Sequence, residues 1–135
     1  LEVDVCTILL SIKPKYVDRI LEESKKYEYR KRVAKRPVEK IVIYATYPKK
    51  RVVAEVQVEK IICDSPERLW ERTKELSGID QEDYFEYFAG NATAYAYELG
   101  ELSVFEESLP LSSIGITVAP QSFCYVDGGE LIGNN

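Results

Sequence analysis

Histidine is absent from this sequence, and its three cysteines, Cys6, Cys63 and Cys124, form no CxxC pair. Without those ligand types a structural zinc site is not expected, and neither is catalysis through an imidazole. The cysteines read instead as buried free thiols, since an unpaired cysteine packs as a small hydrophobe. No run approaches the roughly 18 apolar residues of a membrane-spanning helix, and the first residues, LEVDVC, carry acids where a signal peptide carries Lys or Arg. A cytoplasmic domain with no metal, cofactor or membrane partner is the expectation. Repeats, low-complexity tracts and linker-like stretches are lacking too. The 135 residues therefore read as one domain, with a core over about residues 7–127 and a flexible tail over 128–135.

What is present is ordinary for a globular protein, with 45% hydrophobic and 30% charged residues. The formal net charge of −5 conceals a division along the chain. Residues 1–51 hold fourteen Lys and Arg against seven acids, whereas residues 52–135 hold four against sixteen. A basic first third on an acidic protein suits one localised contact with phosphate rather than a basic surface throughout. If the two parts interleave on folding, the asymmetry cancels. Both outcomes are open at this level.

ILLSI, residues 8–12, is a short apolar run that ends at Lys13-Pro14, and proline is pre-organised for a first helical position. A strand leading into a helix follows. In PKYVDRILEES, Val17, Ile20 and Leu21 share one face, Lys15, Asp18, Arg19 and Glu22 face water, and the helix ends near Glu23 and Ser24. KKYEYRKR alternates in type, which places Lys26, Glu28 and Arg30 on one strand face and Tyr27, Tyr29 and Lys31 on the other. KIVIYAT and RVVAEVQVEKII are further strands; in the second, Ala54, Val56 and Val58 alternate with Glu55, Gln57 and Glu59, as in a sheet with one wet side. Ser65-Pro66-Glu67 opens a helix with Leu69, Thr73 and Leu76 on its inner stripe, closed by Ser77-Gly78. Asp80 caps a second short helix that carries Tyr84, Tyr87 and Phe88 and ends at Gly90. TAYAYEL and then FCYV, residues 123–126, return to strand. Strands outnumber helices and are mostly sequence neighbours, so an α+β mixed barrel fits better than a doubly wound sheet.

ILLSIKPKYVDRILEESKKYEYRK resembles the signature of the ASCH family, a strand, a helix and then GxKxxExR. Lys25, Glu28 and Arg30 match that motif residue by residue. LSIKP, the KIVIYAT strand and PQSF at residues 120–123 are similar to the family as well, strongly over residues 8–62 and more weakly over 90–126. The resemblance implies a PUA-like mixed β-barrel with about three helices packed around it. It also implies RNA-related binding in a basic cleft beside the first helix, and a regulatory role in transcription or translation. The signature glycine is Glu23 here. A left-handed residue at a helix C-terminus costs residues other than glycine roughly 1–2 kcal/mol, so a wider turn is expected, which bears on the aim of Lys25.

On physical grounds alone, Glu28 and Arg30 lie side by side on one strand face and Lys25 enters from the turn. A carboxylate beside two cations can read a base edge or ribose and hold a phosphate, or it can be a plain surface ion pair. Lys13, at the helix start, offers a phosphate contact or is simply solvated. RKRVAKR, residues 30–36, reads as a nucleic-acid tract or, preferably, a solvated loop. Among ten tyrosines, Tyr29 and Tyr47 are flanked by basic residues and are the candidates for stacking on unpaired bases. Gln121 and Ser122 either contact a base or form a polar turn. The leading reading is a module that binds RNA or a nucleotide-like ligand without chemistry. The rival is an amidohydrolase-like enzyme. One ASCH branch, similar in fold, hydrolyses acetylated cytidine with a lysine, a threonine and a glutamate; Lys25 matches the lysine, but Glu28 stands in the threonine's place and is left a general base's part at most. A protein-interaction module using the acidic later part has no motif behind it.

Overall fold

The computed structural model describes residues 5–126. β1 (Cys6–Ile12) runs into α1 (Pro14–Leu21), followed by β2 (Tyr27–Arg30), β3 (Val38–Ala45), β4 (Arg51–Asp64), α2 (Pro66–Thr73), α3 (Gln81–Tyr87), β5 (Ala94–Leu109) and β6 (Phe123–Val126). Short 3-10 turns lie at Lys74–Leu76 and Leu111–Ile114. The strands form one six-stranded sheet in the order β2-β5-β4-β3-β1-β6. Among the described strands only the β1–β3 pair is parallel.

β1 and β3 are buried on both faces. Ile8, Leu10, Ile41 and Ile43 pack with Val17 and Ile20 of α1, while Leu9, Val42 and Tyr44 pack the other way against Val52, Ile114 and Val126. That double burial explains why their sequences are continuous apolar runs rather than alternating ones. A separate aromatic cluster joins α2 and α3 to β2 and β5 through Tyr29, Leu69, Trp70, Tyr84 and Phe88. Tyr84 is its hub, with ring centroids 4.9 Å from Tyr29 and 4.8 Å from Trp70, the only tryptophan of the chain.

The α+β class and the element order agree with the sequence reading, but the sheet is not closed into a barrel. Its outer strands, β2 and β6, are four residues each and share no ladder. Side chains and the segment 31–37 span the gap instead. Smaller departures follow from local geometry. α2 tightens into a 3-10 turn after Thr73, which swings Leu76 off the inner stripe to 46% exposure, and Tyr87 at the end of α3 is 38% exposed. Cys63 is exposed, not buried. The expected tail, 128–135, lies outside the described residues. No described helix is long and apolar enough to cross a membrane, and no group of three or more His, Cys, Asp or Glu among the described residues could hold a metal ion.

Candidate functional site

Arg30 closes β2 at the outer edge of the sheet. Its Nη2 donates to Glu28 Oε2 at 2.9 Å and to the Ser11 carbonyl at 3.0 Å, and its Nη1 donates to Ser122 Oγ at 3.4 Å. Ser11 lies on β1 and Ser122 directly precedes β6, so these bonds join the two edges of the open sheet. Ser11 is tied twice more to the same stretch, its N–H donating to the Ser122 carbonyl at 3.1 Å and its hydroxyl to the Pro120 carbonyl at 2.7 Å. The Glu28 and Arg30 side chains are 10% and 12% exposed, far less than those of a surface pair. Arg30 Nε is buried with no hydrogen-bond partner among the described residues. The register explains the pairing: Glu28 and Arg30 sit opposite Tyr97 and Tyr95 of β5 and project to one face, as alternation requires.

Lys25 does not enter this cluster from the turn as an open cation. It is 3% exposed, its Nζ donates to the Ser77 carbonyl at 2.8 Å, and the ammonium lies 5.3 Å and 4.9 Å from the ring centres of Tyr16 and Tyr29. Burial lowers its pKa to about 8; the Glu28 carboxylate opposes the shift, and Arg19 and Arg30 add to it. The turn that delivers Lys25 is not widened by the missing glycine. Glu23 itself adopts the left-handed conformation, with φ 64°, and the N–H groups of Ser24 and Lys25 both reach the Arg19 carbonyl, at 3.0 and 3.1 Å. From the other side Gly78, at φ +66°, packs so closely that an added Cβ would collide with Lys25 Cβ. Lys25 is therefore an interior strut joining the turn between α1 and β2 to the loop between α2 and α3.

Tyr29 is no surface platform either. Its ring is 6% exposed and its hydroxyl shares a 2.6 Å hydrogen bond with Thr73 Oγ1, because α2 and α3 cover the strand face that holds it. Tyr47, by contrast, is 76% exposed, with Lys50 Nζ 5.7 Å from its ring centre. The Thr46 N–H donates to the Ile12 carbonyl at 3.0 Å, which sets the 46–50 turn beside Lys13, the exposed N-cap residue of α1. Gln121 is exposed next to Ser122. Glu28, Arg30 and Ser122 are thus brought together beside the end of β1, with Gln121 next to Ser122; Lys13 and Tyr47 follow the ends of β1 and β3, and Lys25 and Tyr29 are enclosed. Sequence reasoning missed Ser11, although a lone hydroxyl inside the run ILLSI was the available signal.

Fold and cluster together define a small α+β domain with a glutamate–arginine pair at the open side of its sheet and the motif's lysine buried apart from it. The chain belongs to the ASCH domain family, whose match covers residues 10–105. It is similar to part of the ATP synthase subunit alpha of Ureaplasma parvum serovar 3, with 29% identity over 126 residues, covering 93% of this chain and 16% of that protein. It is also similar to the ASCH domain-containing ribonuclease of Zymomonas mobilis, with 29% identity over 92 residues, 67% of this chain and 62% of that protein. The crystal structure of ASCH from Zymomonas mobilis matches 95% of this chain, and 94% of its own, with a TM-score of 0.86 at 23% identity, a likeness of fold.

Proposed function

We propose that the domain binds RNA at the end of the sheet where β1 and β3 terminate, with Arg30 and Glu28 as the recognising pair and Lys13 and Tyr47 beside them. The observation that carries this reading is a guanidinium held in one orientation by Glu28, Ser11 and Ser122, with Ser11 two residues before the exposed Lys13. Arg30 supplies its charge and the Nη1 hydrogen not given to Ser122 to a phosphate or base oxygen, and Glu28 its other carboxylate oxygen as acceptor for a base amino group or a ribose hydroxyl. Lys13, Lys15, Lys31, Arg32 and Lys35 are exposed, so the basic first third does reach the surface. Neutralising phosphates there makes affinity fall as salt rises. The name of the Zymomonas relative, a ribonuclease, supports RNA as the ligand class. A nucleotide-like small molecule satisfies the same chemistry.

A hydrolytic reading draws on one observation, the Lys25 pKa of about 8, which suits proton transfer near neutrality. Against it, the ammonium is enclosed by two rings and bonded to Ser77. Binding without turnover is the better account. The deciding experiment is a salt-dependent titration of short RNAs, nucleotides and nucleosides with wild type and Arg30→Ala, run beside RNA-cleavage and acetylcytidine-hydrolysis assays. Binding that weakens with salt and with the substitution is expected, with weak or no turnover; failure to bind any member of the panel at low salt removes the proposal.

A further inference from the structure

The gap between β2 and β6 is covered by residues 31–37, and this strip carries a feature separate from the Glu28–Arg30 pair. It is fixed at both ends to β1. Arg30 reaches the Ser11 carbonyl, and the Cys6 N–H donates to the Pro37 carbonyl at 2.8 Å. Those anchors are five strand residues apart, about 17 Å. Between them Val33 and Ala34 turn inward onto the main core, the Ala34 N–H donating to the Tyr97 hydroxyl at 3.3 Å, while Lys31, Arg32, Lys35 and Arg36 stay exposed. The result is a basic ridge along the open side of the sheet. A part-exposed tyrosine stands at each end of it. Lys31 Nζ lies 4.8 Å from the ring centre of Tyr87, and the Arg36 guanidinium 5.3 Å from that of Tyr125, rings whose residues are 38% and 43% exposed.

We propose that this ridge is a track for an unpaired RNA strand, with Tyr87 and Tyr125 each stacking a base and the exposed Lys31, Arg32 and Lys35 between them meeting phosphates. The inference rests on the RNA reading above and extends it from one end of the sheet to the length of its open side. A duplex keeps its bases stacked on one another and offers none to a tyrosine, so the two rings select for single strands. In the free protein a cation lies over each ring. A cation over an exposed ring is held more weakly than a stacked base, so at Tyr87 the base takes the ring and Lys31 turns to the phosphate beside it. The inward Val33 and Ala34 keep the ridge in place during that exchange, because moving them would open the core.

The test uses a short single-stranded RNA carrying 2-aminopurine, and the blunt duplex of the same sequence, against wild type, Tyr87→Leu, Tyr125→Leu and the two Tyr→Phe variants. Expected are quenching of 2-aminopurine by the wild type, preference for the single strand, a loss of roughly 5- to 100-fold in affinity for each leucine variant, and near wild-type binding for each phenylalanine variant. The quench is read on the wild type, so its absence overturns the track even if a leucine variant fails to fold. Equal binding of duplex, or leucine variants that bind as wild type while Arg30→Ala weakens binding, likewise overturns the track and leaves the RNA reading standing. A wild type that binds neither RNA overturns both.

Discussion

Arg30 and Ser11 face one another across the open edge of the sheet, guanidinium to backbone carbonyl at 3.0 Å. β2 and β1 are not neighbours in the ladder, so this contact and those to Ser122 do between side chain and backbone what a row of backbone bonds does in a closed barrel. The same residue is thus the strongest candidate for ligand contact and a tie within the fold.

Replacing Arg30 with alanine should lower stability by about 2–4 kcal/mol, since it removes several charge-assisted bonds and leaves the Glu28 carboxylate largely buried without its cation. Arg30→Lys should recover only part, because an ammonium cannot span Glu28 and Ser11 in a fork. Adding Glu28→Ala to Arg30→Ala should give back some of the loss. Urea midpoints for the four proteins decide this; a single alanine variant that melts at the wild-type midpoint rules out a closing role for Arg30.

Lys25 should make the protein more stable as the solution becomes alkaline. Its folded pKa of about 8 lies below the ordinary 10.5, so between those values the unfolded chain binds more protons and stability rises with pH. The contribution is lost as pH falls through about 8 and amounts to about 3 kcal/mol in full. Above about pH 10 the buried hydroxyls of Tyr29 and Tyr84, whose pKa values are raised chiefly by burial, act in the opposite direction. Urea titrations of wild type and Lys25→Met at pH 7, 8.5 and 9.5 should show the wild type gaining on the variant across the series. A constant difference would mean that Lys25 titrates normally.

Glu23→Gly should stabilise the protein by about 0.5–1 kcal/mol. Glycine removes a left-handed strain of roughly 1–2 kcal/mol, offset in part by its greater freedom in the unfolded chain. The Glu23–Lys26 pair that is lost is 62% exposed on the glutamate side, where such bridges contribute little. A lower melting temperature for the glycine variant would contradict the strain assigned to φ 64°.

Gly78→Ala should be costly, about 2–4 kcal/mol, because a positive φ and a collision with Lys25 Cβ act together. Shifting Lys25 to make room would also disturb its bond to Ser77. Thermal melts of Gly78→Ala beside Gly90→Ala separate the two effects, since Gly90 shares the positive φ but has nothing near its missing Cβ. Equal losses at both positions would reduce the Gly78 effect to backbone strain.

Much of the fold was legible because its signals are local. The run ILLSI, the alternation of Ala54, Val56 and Val58, and Ser65 capping α2 through the Arg68 N–H all describe what neighbours in sequence do. β5 was read only as TAYAYEL, since Glu101, Glu106 and Glu107 disguise its far half; that half is strand because β4 pairs with it as far as Val52 and Leu109. The candidate site was half legible. Alternation placed Glu28 and Arg30 on one face, but that Lys25 and Tyr29 would be enclosed depends on α2 and α3 folding back over β2 from more than thirty residues later. Closure failed as a prediction for a similar reason: whether two short edge strands pair is settled by what lies between them, here the inward Val33 and Ala34.

The chain's one indole, Trp70, belongs to the aromatic cluster under α2 and α3 and not to the apolar centre of the sheet. Its emission consequently reports on the helical layer, whereas the amide I infrared band of paired extended chain reports on the six strands. The unlabelled protein therefore carries two optical channels for two parts of one structure. Melting curves recorded in both would coincide if the layers come apart together, and would separate if the helices peel away from β2 and β5 while the strands remain paired.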